Sequence, residues 1–241
     1  MTPPSDRLPQ RKQPPDRCGR SYRRGLWACA CGLLIVGCAC LAIDVPTAAW
    51  IKEYGLPREL DRLLDFMEIF AHGTGITFLF IILLAVDRPL RSRPDWPLAF
   101  ARMVAAVITT SICTATLKSL VERVRPRAAD LGSVASAFGT FGTAALGDGR
   151  GGADVMSFPS GHAAAAAAFA AALGWRYPHA AWVCGVVAAL AAFQRVASSA
   201  HYPSDIAWGA AVGLLAASIW LDPLTARGRQ PESVSATAGD S

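Results

Sequence analysis

Apolar residues in this chain are gathered into long blocks, and that patterning limits the fold more than any motif does. A bilayer core of about 30 Å is crossed by a helix of about 20 apolar residues, because lipid offers no partner for an exposed backbone N–H or C=O. Such blocks run at 26–43, 66–86, 98–117, 160–175, 180–194 and 205–221. The patterning predicts an all-α polytopic membrane bundle of about six transmembrane helices. With 53% hydrophobic and 17% charged residues, the chain lacks the short alternations of a soluble core. The fourth and fifth blocks are short and alanine-rich, which suits close helix packing.

The formal charge of +5 is distributed unevenly. Arg7, Arg11, Lys12, Arg17, Arg20, Arg23 and Arg24 precede the first block, and Arg88, Arg91 and Arg93 fill the second connection, whereas residues 44–65 mix acids and bases. Both basic segments are expected to be cytoplasmic, with both termini inside and the odd connections outside. A basic run beside a span reads as a topology signal, so no nucleic-acid partner is expected. Residues 1–25 are expected to form a disordered basic leader, 26–221 the six-helix domain, and 222–241 a disordered cytoplasmic tail. Cys29, Cys31, Cys38, Cys40, Cys113 and Cys184 fall inside apolar blocks and read as small buried hydrophobes, not as metal ligands or disulfides.

Three polar clusters stand at the ends of these blocks. In "KSLVERVRPR", Lys118 and Arg125 are separated by about two helical turns, which would aim both from one helix face before Pro126 ends the helix. A pair of interfacial bases, with Lys118 tied to Glu122, fits equally simple rules. In "FPSGH", Ser160 is a natural helix cap, Gly161 permits close backbone approach and the helix start offers N–H groups to an anion beside His162. In "QRVASSAHYPSDIAWG", Asp205 lies four residues beyond His201, placed to accept from Nδ1–H and leave Nε2 free. The second and third clusters also fit plain helix starts.

Successive spans alternate direction, so all three clusters emerge on one face of the membrane. Together they gather Lys118, Arg125, Arg195, two histidines, a carboxylate and a helix-start anion site, the groups that phosphoryl transfer requires. The arrangement Lys118-x6-Arg125-Pro126, Pro159-Ser160-Gly161-His162 and Arg195-x5-His201-x3-Asp205 resembles the three-part signature of the type 2 phosphatidic acid phosphatase and vanadium haloperoxidase superfamily, in its membrane-bound branch. Gln194 departs from that pattern, which has serine before the arginine, and removes one hydroxyl from the expected phosphate contacts.

The resemblance implies that Lys118, Arg125, Ser160, Gly161 and Arg195 bind the phosphoryl group, and that His201 attacks phosphorus with Asp205 orienting it and His162 protonating the leaving oxygen. It implies no cofactor and no metal, since fixed cations replace one. The expected activity is hydrolysis of a lipid phosphate or isoprenoid pyrophosphate through a phosphohistidine, with the site on the periplasmic face of a bacterial inner membrane. Undecaprenyl pyrophosphate, phosphatidylglycerol phosphate, phosphatidic acid and lipid A phosphates all offer an anion on an apolar tail. Lipid-to-lipid phosphotransfer, halide oxidation with vanadate, and non-catalytic lipid-phosphate binding or transport are the alternatives. The Gly- and Ala-rich stretch 127–158 is expected either to cover the headgroup or to be a plain connector.

Overall fold

A computed structural model describes residues 17–86, 95–143, 145–146 and 151–221. Its eight described α-helices are α1 (Arg17–Cys40), α2 (Asp44–Tyr54), α3 (Arg58–Met67), α4 (Gly73–Val86), α5 (Trp96–Leu120), α6 (Gly161–Arg176), α7 (Ala181–Ala197) and α8 (Pro203–Trp220). No strand longer than an isolated bridge occurs among the described residues. Arg7, Arg11, Lys12, the basic connection Arg88, Arg91 and Arg93, and the tail 222–241 lie outside them.

The chain is a membrane protein. Tyr22–Cys40, Trp96–Leu120 and Pro178–Ala197 are each long and apolar enough to cross a bilayer, and Arg58–Phe70 with Gly73–Val86 makes a fourth candidate bent by 65°. Ile35, Ile81, Val86, Ile108, Ile112 and Trp182 face outward from these helices, where lipid rather than water is their natural solvent. The shorter α6 and α8 lie in the middle: α8 packs on α1, α5 and α6, while α6 packs on α5, α7 and α8. Two glycines set the closeness of the central pair. A Cβ on Gly209 would meet the Ser160 carbonyl oxygen at 2.3 Å, and one on Gly213 would meet that of Ala164 at 2.2 Å. Beneath them Leu26, Phe80, Met103, Phe169 and Trp175 form the main core, with Phe80 edge-on to both Phe100 and Phe169.

Several expectations are corrected. The first helix begins at Arg17, so residues 17–25 are helical rather than a disordered leader. The mixed-charge segment 44–65 holds two helices, α2 and α3. The block 66–86 is not one straight span: a 3-10 turn at Glu68–Phe70 and the bend beyond it separate α3 from α4. A side chain at Gly75 would strike the Ile69 carbonyl, so only glycine allows that corner. Cys29, Cys31 and Cys38 are exposed and Cys40, Cys113 and Cys184 half-buried, not core residues; on outer helix faces a thiol is simply a small lipid-compatible group.

The stretch 127–158 is an organised cap wherever it is described. Val124, Ala129, Ala145 and Val155 share a small core, Arg127 pairs with Asp154 at 3.0 Å, and Lys52 of α2 donates to the Ala129 carbonyl.

Candidate active site

Helix α5 ends at Leu120, earlier than its charge spacing suggested, because the backbone that follows finds better partners outside the helix. Val121 turns extended, Arg123 N–H donates to Val155 O at 2.8 Å, Val124 N–H to Thr140 O at 2.9 Å, Arg125 N–H to Asp154 O at 2.8 Å, and Ser157 N–H returns to Arg123 O at 3.0 Å. Arg125 itself takes the extended backbone that Pro126 imposes on its predecessor. Lys118 and Arg125 therefore reach one place by different routes, one from a helix end and one from a strand-like segment.

They meet in a cavity of about 220 Å³ lined by Lys118, Arg125, Ala153, Met156, Gly161, His162, Arg195 and His201. Lys118 Nζ donates to Met156 O at 2.8 Å, not to Glu122. Arg125 is held by the carbonyls of Ala153 at 2.8 Å, and of Ala200 and Met156 at 3.4 Å. Among the described residues neither cation has a carboxylate within ion-pairing distance. Burial, and after it the nearby Arg127 and Arg195, lowers the pKa of the Arg125 guanidinium, so its charge is held at a cost that a neighbouring negative charge would offset. A Cβ on Gly161 would stand 3.7 Å from Lys118 Cε, which puts the open N–H groups of the α6 start in the same wall.

Ser160 does not line this cavity. It is fully buried, its hydroxyl accepts from Ala163 N–H at 3.4 Å as the α6 cap, and its own N–H donates to Asp205 O at 3.0 Å. Arg195 does line it, but Nη1 is paired with Glu68 from the α3–α4 corner. The same carboxylate lies 3.9 Å from His162 Nε2, and the His72 ring stands edge-on to His162 with centroids 5.5 Å apart. Gln194 points elsewhere: it is buried and its amide donates to Asp65 Oδ1 of α3 at 3.0 Å, so it ties α7 to α3 and contributes nothing to the cavity wall.

His201 is held differently from the sequence expectation. Its Nδ1 lies 2.7 Å from the Ser157 carbonyl and 3.8 Å from Asp205 Oδ2. The backbone carbonyl, not Asp205, takes Nδ1–H, and Nε2 is left with its lone pair. Asp205 sits one layer back, accepting from Ser157 Oγ at 2.6 Å and from Tyr202 N–H at 2.9 Å, and facing Arg123 Nη1 at 2.5 Å. Burial pushes the His201 pKa down from 6.5 to about 4, with Asp205 opposing and Lys118 and Arg125 adding to the fall. Between those pH values the unfolded chain binds more protons than the folded one, so this group disfavours the fold progressively as pH drops from 6.5 toward 4. In protein labelled with ¹³C-histidine, the His201 ring should still be neutral at about pH 5.5; a midpoint near the ordinary histidine value would contradict the burial argument.

Four residues of this region escaped the motif reading: Asp44, Glu68, Arg123 and Ser157. Two carried a signal. Glu68 is an acid inside an apolar block, which in a membrane chain marks a functional site, and Arg123 lies within the basic cluster itself. Asp44 and Ser157 carried none. Among the described residues, no three His, Cys, Asp or Glu side chains come together as metal ligands.

Comparison with known proteins follows the same lines. In overall fold the chain is similar to the crystal structure of a transmembrane PAP2-type phosphatidylglycerolphosphate phosphatase from Bacillus subtilis, with a TM-score of 0.54 and 23% identity over 81% of this chain and 92% of that one. A search of the curated proteins gives no match. The family model described as the PAP2 superfamily matches residues 99–227, more than half the sequence and all three polar clusters, and the chain belongs to that superfamily.

Proposed function

We propose that this protein is a membrane-embedded phosphatase that hydrolyses a lipid phosphate or pyrophosphate through a phosphohistidine on His201, without a metal. The observation that carries this reading is the pairing of an oriented ring with an unneutralised anion site: His201 Nδ1 is fixed 2.7 Å from Ser157 O, and the same cavity holds Lys118 and Arg125 on carbonyl partners alone. A binding protein would need the cations but no histidine with a free Nε2.

In the first step Nε2 of His201 attacks phosphorus and the P–O bond to the lipid breaks. Lys118, Arg125 and the N–H groups at the α6 start take up the charge on the equatorial oxygens. His162 gives its proton to the departing oxygen. Burial, and after it Arg195 and His201, disfavours the charged His162 ring in the free protein, so its proton arrives with the bound phosphate, whose negative charge offsets that cost. Arg195 exchanges Glu68 for a phosphoryl oxygen as the substrate enters. In the second step water attacks the phosphohistidine, His162 accepts its proton, and phosphate leaves with His201 restored.

The family and the fold support a lipid phosphate as the substrate class, since the cavity opens on a bundle made to sit in lipid. The basic residues up to Arg24 and those of the 87–94 connection support an inside position for both segments, and helix parity then supports an outer face for Lys118, Arg125, His162, Arg195, His201 and Asp205.

The test is phosphate release by purified protein from phosphatidic acid, phosphatidylglycerol phosphate and undecaprenyl pyrophosphate. At least one should be hydrolysed, with EDTA without effect and vanadate competing as a mimic of five-coordinate phosphorus. A short-chain analogue offered to sealed spheroplasts should give phosphate in the medium. Activity lost in EDTA and restored by magnesium would refute the metal-free mechanism, and release only after lysis would refute the sidedness.

A further inference from the structure

Behind the cavity lies a charged cluster that the proposed chemistry does not touch. Asp44, at the start of α2, and Asp205, in the first turn of α8, both grip Arg123, and all three side chains are fully buried. Arg123 Nη2 donates to Asp44 Oδ2 at 2.7 Å, Nη1 to Asp205 Oδ1 at 2.5 Å and to Ser204 Oγ at 2.8 Å, and Nε to Thr140 Oγ1 at 2.9 Å. The rings of Phe141 and Tyr202 lie against the guanidinium, 4.7 and 4.2 Å from its carbon. Asp44 in turn accepts from Ser204 N–H at 2.9 Å and from the Ser204 hydroxyl.

Stability does not account for this cluster. Taking three ions out of water is costly, and well-packed apolar side chains of the same volume serve a fold as well or better. The two carboxylates against one guanidinium leave a net charge of −1 sealed in the protein, and the group nearest to it on the cavity side is His201, with Nδ1 3.8 Å from Asp205 Oδ2.

We propose that Asp44 is a positioning residue for the nucleophile, acting through Arg123: by neutralising the guanidinium it leaves the charge of Asp205 to support His201 as its ring becomes cationic on accepting phosphorus. The proposal rests on the phosphohistidine reading above. It has a geometric half as well. Arg123 uses its backbone to align the segment 155–157, accepting from Ser157 N–H and donating to Val155 O, and Asp205 holds the Ser157 hydroxyl at 2.6 Å. The Ser157 carbonyl that orients His201 is thus held on one side by Arg123 and on the other by Asp205. Without Asp44, Asp205 is the one counter-ion left to Arg123 among the described residues, and both the charge beside His201 and the register of Ser157 change.

Asp44→Asn keeps the shape and most hydrogen bonds while removing the charge. It should lower kcat by about 10- to 100-fold, the scale known for outer partners of metal-bound histidines and carried over to this metal-free one, with KM changed by less than about twofold because Lys118 and Arg125 are untouched. In an Asp205→Asn background the charge half of the effect has nothing left to act on, so the kcat loss of the folded double variant should fall well short of the product of the two single losses. A ¹⁵N spectrum of His201 reads the effect without turnover: wild type should show a single Nδ1–H ring and Asp44→Asn a second state. Should Asp44→Asn fail to fold, Ser204→Ala removes a contact on both Asp44 and Arg123 without altering charge, and should lower kcat by about 3- to 10-fold at constant KM. A folded Asp44→Asn with wild-type kcat, or an effect that multiplies with Asp205→Asn, overturns the proposal. A wild type that releases no phosphate but keeps the ring response of Asp44→Asn overturns instead the phosphatase reading.

Discussion

Replacement of His201 by alanine should abolish the covalent intermediate and reduce turnover by roughly 10³-fold or more, the scale of loss when the nucleophile of a two-step mechanism is deleted. Acid quenching of wild type with ³²P-labelled substrate should trap acid-labile label on the protein, and His201→Ala should show none. Stability should change far less. His201 is almost fully buried, but its one short hydrogen bond, to Ser157 O, is worth about 1 kcal/mol net, and the space left by the ring adjoins the cavity and can fill with water. Retention of wild-type turnover by a folded His201→Ala would sink the phosphohistidine mechanism. Trapped label without release of phosphate to water would instead favour transfer to a second lipid.

Gly209→Ala, which changes one hydrogen for a methyl group on a residue outside the cavity, should be nearly as damaging. The new Cβ would lie 2.3 Å from the Ser160 carbonyl oxygen and about as close as 3.1 Å to its carbon, and neither can yield without moving the start of α6. Overpacking of this kind costs about 1–3 kcal/mol. The displaced atoms belong to the cap of the helix whose first residues, Gly161 and His162, line the cavity, and Ser160 N–H is bonded to Asp205 O at 3.0 Å. A shift of about 1 Å in such a wall costs on the order of 10²-fold in rate. Gly185→Ala on α7, where nothing lies within 4 Å, is the matched control and should be neutral or slightly stabilising. Equal activity and thermal midpoint in the two variants would mean that the α6–α8 contact is looser than its geometry indicates.

The serine that the family pattern places before Arg195 shows how far motif reading carries. Gln194 stands there, and the departure suggested a lost phosphate contact. Instead the side chain faces away from the cavity and binds Asp65. A residue type in a motif says which chemistry is available at a position. It does not say which way the Cα–Cβ bond points, since that depends on the helix phase and on what packs behind it.

The linear chain determined the membrane class, the helical bundle and six of the eight residues that line the cavity, Lys118, Arg125, Gly161, His162, Arg195 and His201, because apolar block length and short motifs are local properties that need no knowledge of neighbours. Even the common face of the three clusters follows from counting spans. What the tertiary structure alone decided is how those residues are held. Asp44 is 79 positions from Arg123 and 161 from Asp205, and no periodicity links them; they meet because burying one guanidinium demands a partner for each of its donors, and the fold supplies Asp44, Thr140, Ser204 and Asp205 from three segments. The same holds for the Ser157 carbonyl that orients His201 and for Glu68 against Arg195. Main-chain acceptors and long-range counter-ions are chosen by what remains unsatisfied once the helices have packed, and that is a property of the assembled molecule.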